Sequence, residues 1–431
     1  MRSTLIWLAG TSLCFLGMMT LLSAAPAETT QKPLKVDGLD NTIDAGMADL
    51  SQDGITPFFS YYADYMGNVS GGVARTDDYT HEILFGTEFD FSKIAGLNGG
   101  SFTISGAQGT GQNVSASIGN QFYVSESYVV PGFRFYECFW KQKLFDDRLE
   151  LRLGRITEGD QFAVLPAFVL QASGGINGNP LSLLLNTSFN GSPVATWGGS
   201  AKYYFSKDAY IASGLYQAAA HNSDPAYHGL NMGINTSQNG VLNLNQVGWE
   251  PNFGATELKS TGKNDSGLPG TYLGGFYYSR NNFPEFNSPS VELNAYGFYA
   301  MAQQMVWRNK EDPFVSLAFW GGATYSPQQE IALMPVMGFA GVIYQGAIPG
   351  RNQDKVLLNY LAGSLSDAYS ASQVATGGHS STVEHVIEAS YVIQINDHYA
   401  IQPDIQYVIQ PNGESAIPNA VVLGIQVTVN F

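Results

Sequence analysis

Residues 399–431, YAIQPDIQYVIQPNGESAIPNAVVLGIQVTVNF, decide how the rest of the chain is read. Within 399–410, Tyr399, Ile401, Pro403, Ile405, Tyr407 and Ile409 fall on one face, against Gln402, Asp404, Gln406 and Gln410 on the other. Residues 421–431 repeat the rule, with Val421, Leu423, Ile425, Val427, Val429 and Phe431 opposite Gly424, Gln426, Thr428 and Asn430. Successive side chains of a strand point to opposite faces, so each segment has one apolar and one polar surface. A tilted strand crosses a bilayer in about 9–11 residues, and only a closed barrel of strands leaves no backbone group unpaired in lipid. This length and this aromatic carboxy terminus point to an all-β transmembrane barrel rather than a soluble sandwich.

Working outward, sixteen candidate strands emerge: 58–68, 81–91, 101–108, 129–140, 148–156, 195–205, 209–219, 241–253, 271–280, 293–307, 314–325, 335–345, 355–364, 383–395, 399–410 and 421–431. Short charged turns (206–208, 308–313, 396–398) alternate with longer connections (156–194, 221–240, 367–381). Short turns on one rim and long loops on the other are the habit of outer-membrane barrels, and they put both chain ends on the short-turn, periplasmic side. The segment 254–270 breaks the alternation, being long where a short turn is expected. Residues 156–194 far exceed the usual ceiling of about 12–15 residues for an unstructured loop, which predicts a segment folded inward to narrow the lumen.

The chain is poor in charge (13%) and rich in Gly (48), Tyr (24) and Phe (25). One long apolar run, 5–23, stands behind Arg2 and ahead of Ala25-Pro26-Ala27, the pattern of a secretory leader spanning 1–27. An uncleaved anchor is the competing reading of the same run. Residues 28–54 form a polar periplasmic lead-in with a short helix near 41–50, and 55–431 form the barrel. Without the leader, Cys138 is the single cysteine, so closure and hydrogen bonding must hold the fold. Arg2 would leave with the leader, giving 19 basic and 36 acidic residues, a net charge of −17. Such a balance argues against nucleic acid as a partner. The acids belong in the lumen, turns and loops, because a charge on the lipid face costs about 2–4 kcal/mol at the bilayer centre.

Five blocks, in order along the chain, resemble the carbohydrate-selective porins of the OprB type. They are Tyr62-Ala63-Asp64 with 67–72 (GNVSGG), then 148–163 (RLELRLGRITEGDQFA), 268–272 (LPGTY), 299–304 (YAMAQQ), and 402–407 (QPDIQY) with 410–413 (QPNG). The resemblance implies a sixteen-stranded barrel in the outer membrane of a Gram-negative-type bacterium, passing mono- or oligosaccharides passively through a polar Arg/Glu constriction. Segments 223–245 and 372–381 depart from the pattern in candidate outer loops, which leaves the identity of the sugar open.

A neutral sugar offers hydroxyls and an apolar ring face, so a selective lumen needs donors, acceptors and rings that bind weakly enough to release. Arg's planar fork donates to adjacent hydroxyls and carboxylates accept from them. The constriction candidates are therefore Arg134, Glu150, Arg152, Arg155, Glu158 and Asp160, where the long loop leaves the wall. Strand parity adds Asp64, Glu82, Glu88, Trp140, Lys202, Gln304, Glu384, Glu388, Asp404 and Gln406 as lumen-lining. The competing reading is that these charges pair across the lumen to stiffen the wall. Four positions strain the pattern, one of them His385, which falls on the outward face of the fourteenth strand. Pro403 lacks a ladder donor and predicts a bulge, Arg155 needs one at Gly154 to turn inward, and Glu137 has the parity of the lipid face.

No metal- or cofactor-binding motif is present, and six scattered His with no G-x-S-x-G argue against a membrane esterase. Two pore readings stay open. One is a sugar-selective channel, the other a general, weakly cation-selective pore steered by its acidic lumen. The partners expected are sugars, outer-membrane lipids and, in the oligomeric reading, two further copies of the chain around a monomer-or-trimer choice.

Overall fold

The structure, a computed structural model, describes residues 39–127, 131–218, 223–235, 239–255 and 267–431. The expected leader and residues 28–38 lie outside the described residues, as does the centre of the long 254–270 connection. A helix, α1 (Leu39–Gln52), leads into one antiparallel sheet. Its strands are β1 (Ile55–Ser70), β2 (Asp77–Asp90), β3 (Gly100–Gly111), β4 (Gly132–Leu144), β5 (Leu149–Ile156), β6 (Thr196–Tyr204), β7 (Ala209–Gln217) and β8 (Val241–Trp249). There follow β9 (Asn252–Phe253), β10 (Leu268–Pro284), β11 (Val291–Arg308), β12 (Ser316–Tyr325), β13 (Val336–Gln345), β14 (Lys355–Ser364), β15 (Val383–Gln394), β16 (Tyr399–Ile409) and β17 (Ala420–Asn430). The two-residue β9 continues β8, and both pair with β10, so the wall has sixteen staves, as the periodicity predicts.

The sheet has no edge. β1 pairs with β2 on one side and with β17 on the other, and Phe59 and Phe431 exchange backbone hydrogen bonds of 3.0 and 2.9 Å. Alternation sets the two surfaces. Leu153, Phe276, Phe298, Phe319, Ile405, Tyr407, Leu423 and Ile425 are exposed on the outside, while Asp64, Glu82, Glu384, Glu388, Gln402, Asp404 and Gln406 are buried within. The turn between β4 and β5 is tight, with Phe145, Asp146 and Asp147 all at positive φ. On the same rim α1 is tied to the β15–β16 turn, where Tyr399 donates to Asp40 at 2.9 Å and His398 meets Asp44 at 3.0 Å.

Pro403 does not cause a bulge. It pairs with Ile425 in unbroken register, and toward β15 the ladder merely lapses between Ser390–Asp404 and Ile393–Ile401 without shifting. A missing donor removes a rung but inserts no residue, so parity alone carries Asp404 inward. The β5 ladders likewise stay in register through Gly154, whose φ of 148° twists the strand at Arg155. A bulge that does reset parity lies on β4. Ile104 pairs with Cys138 but Gly106 with Phe135, and the Glu137 N–H donates to Ser105 Oγ at 3.1 Å. The extra residue buries both Tyr136 and Glu137 and reverses the alternation beyond them. Phe139 and Lys141 consequently face inward, and Trp140, expected in the lumen, turns to the outer face beside Phe91, with ring centroids 5.1 Å apart.

Candidate functional site: the lumen and its constriction

Two connections fold into the barrel. The long one, 157–195, is buried along most of its length, with Phe162, Leu165, Phe168, Ile176 and Leu183 at its centre. Phe168 reaches the opposite wall and meets Trp320 and Phe339 edge-on at 5.7 and 5.6 Å. Its backbone is held by wall side chains: Gln246 accepts from Ala163 N–H (2.9 Å), Gln303 from Ala167 N–H (2.7 Å) and Glu388 from Ala172 N–H (2.8 Å). Each bond satisfies a loop amide that strand pairing cannot reach. Asn359 locks this anchor by donating to Glu388 (3.0 Å) and to Gln171 (2.6 Å).

The second inward segment, 112–127, was not legible as such in the sequence. Val114, Ile118, Phe122 and Val124 bury themselves in the same apolar cluster as the long loop. Its signal was the recurrence of apolar residues four apart inside a polar connection. Asp64 accepts from the hydroxyls of Ser125 and, at 2.8 Å, Ser127. Glu384 accepts from the N–H groups of Gln121 (2.8 Å), Phe122 (2.7 Å) and Asn412 (2.6 Å). Gln406 donates to Val124 O at 2.8 Å and to Asp404 at 2.9 Å. Four expected lumen-lining positions, Asp64, Glu384, Glu388 and Gln406, thus face inward but are occupied in holding loops, with Asp404 buried beside them.

A different set remains accessible. On the inner wall of β2 and β4–β8 run three ion pairs: Glu88–Lys141 at 3.0 Å, Glu150–Arg152 at 2.7 Å and Glu250–Lys202 at 4.0 Å. Their side chains keep between 14% and 34% of their surface open. Neighbouring staves bring them side by side, since Lys141 pairs with Arg152 and Glu150 with Lys202 in the ladder. Aromatic rings lie alongside. Arg152 sits 5.9 Å from the Phe139 ring centre, and Lys202 lies 4.9 and 3.8 Å from those of Tyr204 and Tyr210.

The six expected constriction residues therefore do not form one cluster. Arg152 and Glu150 meet. Arg134 is buried and donates to Ser223 O (2.8 Å), holding an outer loop. Arg155 is buried with its Nε on Tyr136 O (3.0 Å), inside the wall at the β4 bulge. Glu158 is buried at the loop base, where burial pushes its carboxyl up to about 8 against the pull of hydrogen bonds from its own backbone and Asn190. Asp160 is half-buried one turn on. Glu82 is fully buried on β2. Gln304 is a correction: it faces outward and accepts from Tyr272 Oη at 2.9 Å, whereas its neighbour Gln303 takes the lumenal position. The outward run Tyr296, Phe298, Ala300 fixes that parity. Among the described residues, no group of three or more His, Cys, Asp or Glu could hold a metal ion.

Comparison with known proteins fits this geometry. Porin B of Pseudomonas aeruginosa is 23% identical over 406 residues, covering 86% of each chain. The putative porin QuiX of Acinetobacter baylyi is 21% identical over 393 residues, 84% of this chain and 86% of that one. The high-pH structure of Pseudomonas putida OprB superposes with a TM-score of 0.80 at 20% identity, over 90% of this chain and 97% of that chain, and so shares its fold. Residues 74–431 match the profile of the carbohydrate-selective porin, OprB family. The chain is an outer-membrane β-barrel and belongs to the carbohydrate-selective porin family.

Proposed function

We propose that the chain passes sugars through the outer membrane along the β2 and β4–β8 side of its lumen, past the row of three ion pairs. The supporting observation is a division of labour. Asp64, Glu384 and Glu388 on the inner wall are spent on the inward loops, while Glu88–Lys141, Glu150–Arg152 and Glu250–Lys202 keep part of their surface open to solvent beside Phe139, Tyr204 and Tyr210. Acids and bases in alternation offer a sugar both acceptors and donors at each step, while their mutual pairing leaves no strong net field to trap an ion. Of the rings beside them, half-buried Tyr204 can take the apolar face of a pyranose, while Phe139 and Tyr210 are buried behind the pairs and support them. Export follows the leader at 1–27, with processing after Ala27.

The test is a planar-bilayer recording with sugars added to the bath. Millimolar mono- or disaccharide should interrupt the ion current, and Arg152→Ala should weaken that block. Current unaffected by every hexose and disaccharide tried leaves the second reading, a general and weakly cation-selective pore. Liposome swelling across sugars of increasing size then ranks what passes.

A further inference from the structure

Three neighbouring staves are short for the bilayer they cross. β5 has 8 residues and β6 and β7 have 9 each, against 17 and 18 in β10 and β11. A tilted strand needs about 9–11 residues to cross the hydrocarbon layer, so lipid on this side reaches the outer ends of these staves or rises past them. β4 is longer. Above Cys138, its last rung with β5, it runs on to Gly132 with no strand on that side.

The topmost outward row of these staves is partly polar. Arg155 on β5, Trp197 on β6 and Gln217 on β7 share the parity of Leu153, Tyr203 and Leu215, which are exposed. A guanidinium and a carboxamide turned to acyl chains are costly, yet Arg155 and Gln217 are only 1% and 3% exposed. The connection 223–235 runs along this row. It begins at the free edge of β4, where the Phe135 N–H donates to His228 O and His228 Nδ1 donates to Phe133 O, both at 2.9 Å. It then passes over Trp197, whose indole N–H donates to Met232 O at 3.1 Å. At Gln217 it is held twice, Gly233 O accepting from the side-chain amide and the Asn235 N–H donating to Oε1, each at 3.2 Å.

The far side of this strip is apolar. Leu230, Met232 and Ile234 are exposed, while Asn231 and Asn235 are half-buried. That is the alternation of a lipid-facing stave, in a segment that belongs to no strand. We propose that 223–235 is a panel of the lipid-facing wall, seated in the outer leaflet with Leu230, Met232 and Ile234 among the acyl chains, where it separates Gln217 and the row beside it from hydrocarbon. Continuity identifies the occupant. The panel lies over the outer ends of staves whose exposed Leu153 and Leu215 already face lipid. Irregular backbone is tolerated at membrane depth only where its polar groups are met, and the bonds to β4, Trp197 and Gln217 meet several of them.

The native full chain tests this in liposomes that contain a phospholipid with a diazirine in its acyl chain. After irradiation and digestion, mass spectrometry should find lipid adducts on 227–234 as heavy as those on β7, and none on the outer helix Asp367–Ala375. A water-soluble diazirine should reverse the pattern, labelling the helix and sparing 227–234. Adducts on β7 without adducts on 227–234 would overturn the proposal. Spin labels then fix the depth. In a Cys14→Ser, Cys138→Ser background, nitroxides at Leu230→Cys and Ile234→Cys should be relaxed more by oxygen than by a nickel chelate, as at Leu215→Cys. Stronger relaxation by the chelate at both positions would place the strip in water and equally end the idea.

Discussion

Two arcs of the same inner wall carry similar residues and use them differently. On β1 and β14–β17, Asp64, Asn359, Glu384, Glu388 and Gln406 point into the barrel and are consumed by backbone and side-chain groups of the two inward loops. On β2 and β4–β8, Glu88, Lys141, Glu150, Arg152 and Lys202 point inward just as directly and meet one another, Glu250, neighbouring rings and solvent, with no loop amide on them. Strand parity is identical in the two arcs, so parity does not assign a task. What differs is whether a loop lies over the side chain. A carboxylate under a loop serves as an acceptor for amides that would otherwise be buried unbonded, and a carboxylate in the open is left for solute.

The largest expected effect tests the loop-bearing arc. Glu388→Ala removes the acceptor for Ala172 and Ser173, leaving buried N–H groups unpaired at about 1–3 kcal/mol each. The long loop should leave the far wall, and single-channel conductance and the size limit in liposome swelling should both rise. The open arc should respond in the opposite sense. Arg152→Ala should leave conductance and thermal stability nearly unchanged while weakening sugar block about tenfold, the worth of one charge-assisted hydrogen bond of about 1.4 kcal/mol. If Arg152→Ala enlarges the pore, or Glu388→Ala abolishes block without enlarging it, the distinction between the arcs fails.

A pH series sharpens the comparison at the loop base. The Glu158 carboxyl titrates near 8 when folded, above its unfolded range, because burial disfavours the charge. Below the unfolded range both states hold the proton and the loop base keeps its full stability. As pH climbs from there through about 8 the folded state must release the proton in a buried site, and that stability is lost. Current noise and protease access to the loop should therefore increase between pH 7 and 9, and Glu158→Gln should flatten the change. The smallest effect belongs to the rim. Burial lowers the pKa of His398, but the bonds to Asp44 and to Asn430 O outweigh it, so the net shift is upward. The α1 attachment is then strongest in acid and weakens as pH rises through that raised value. Asp44→Asn should shift melting by no more than about 1 kcal/mol, as expected for a half-exposed pair, and should remove this pH dependence.

The barrel was legible because its signal is repeated in every stave: the sixteen segments read from alternation are the sixteen staves of the wall, with ends displaced by a few residues. The failures are local and have physical causes. Trp140 was placed in the lumen because one extra residue at Tyr136–Glu137 inverts everything after it, and a bulge leaves no trace in an alternating pattern except a misfit such as Glu137. Gln304 was chosen over Gln303 because adjacent identical residues give parity nothing to discriminate. Pro403 was expected to bulge its strand, but the ladder toward β15 only lapses at two register positions and resumes unshifted. The constriction was the least legible part. Arg134, Arg155 and Glu158 lie close to Arg152 in sequence, yet their surroundings depend on where two loops settle, and no periodicity encodes that.

The seam between Phe59 and Phe431 has a consequence for how the molecule comes to exist. The first stave can be zipped only against β17, which follows it by some 350 residues, so the wall closes late. Until then the chain presents two raw margins, ready to bond to any extended neighbour. Those margins must therefore be shielded until β1 and β17 meet, and deleting β17 should leave the sheet open.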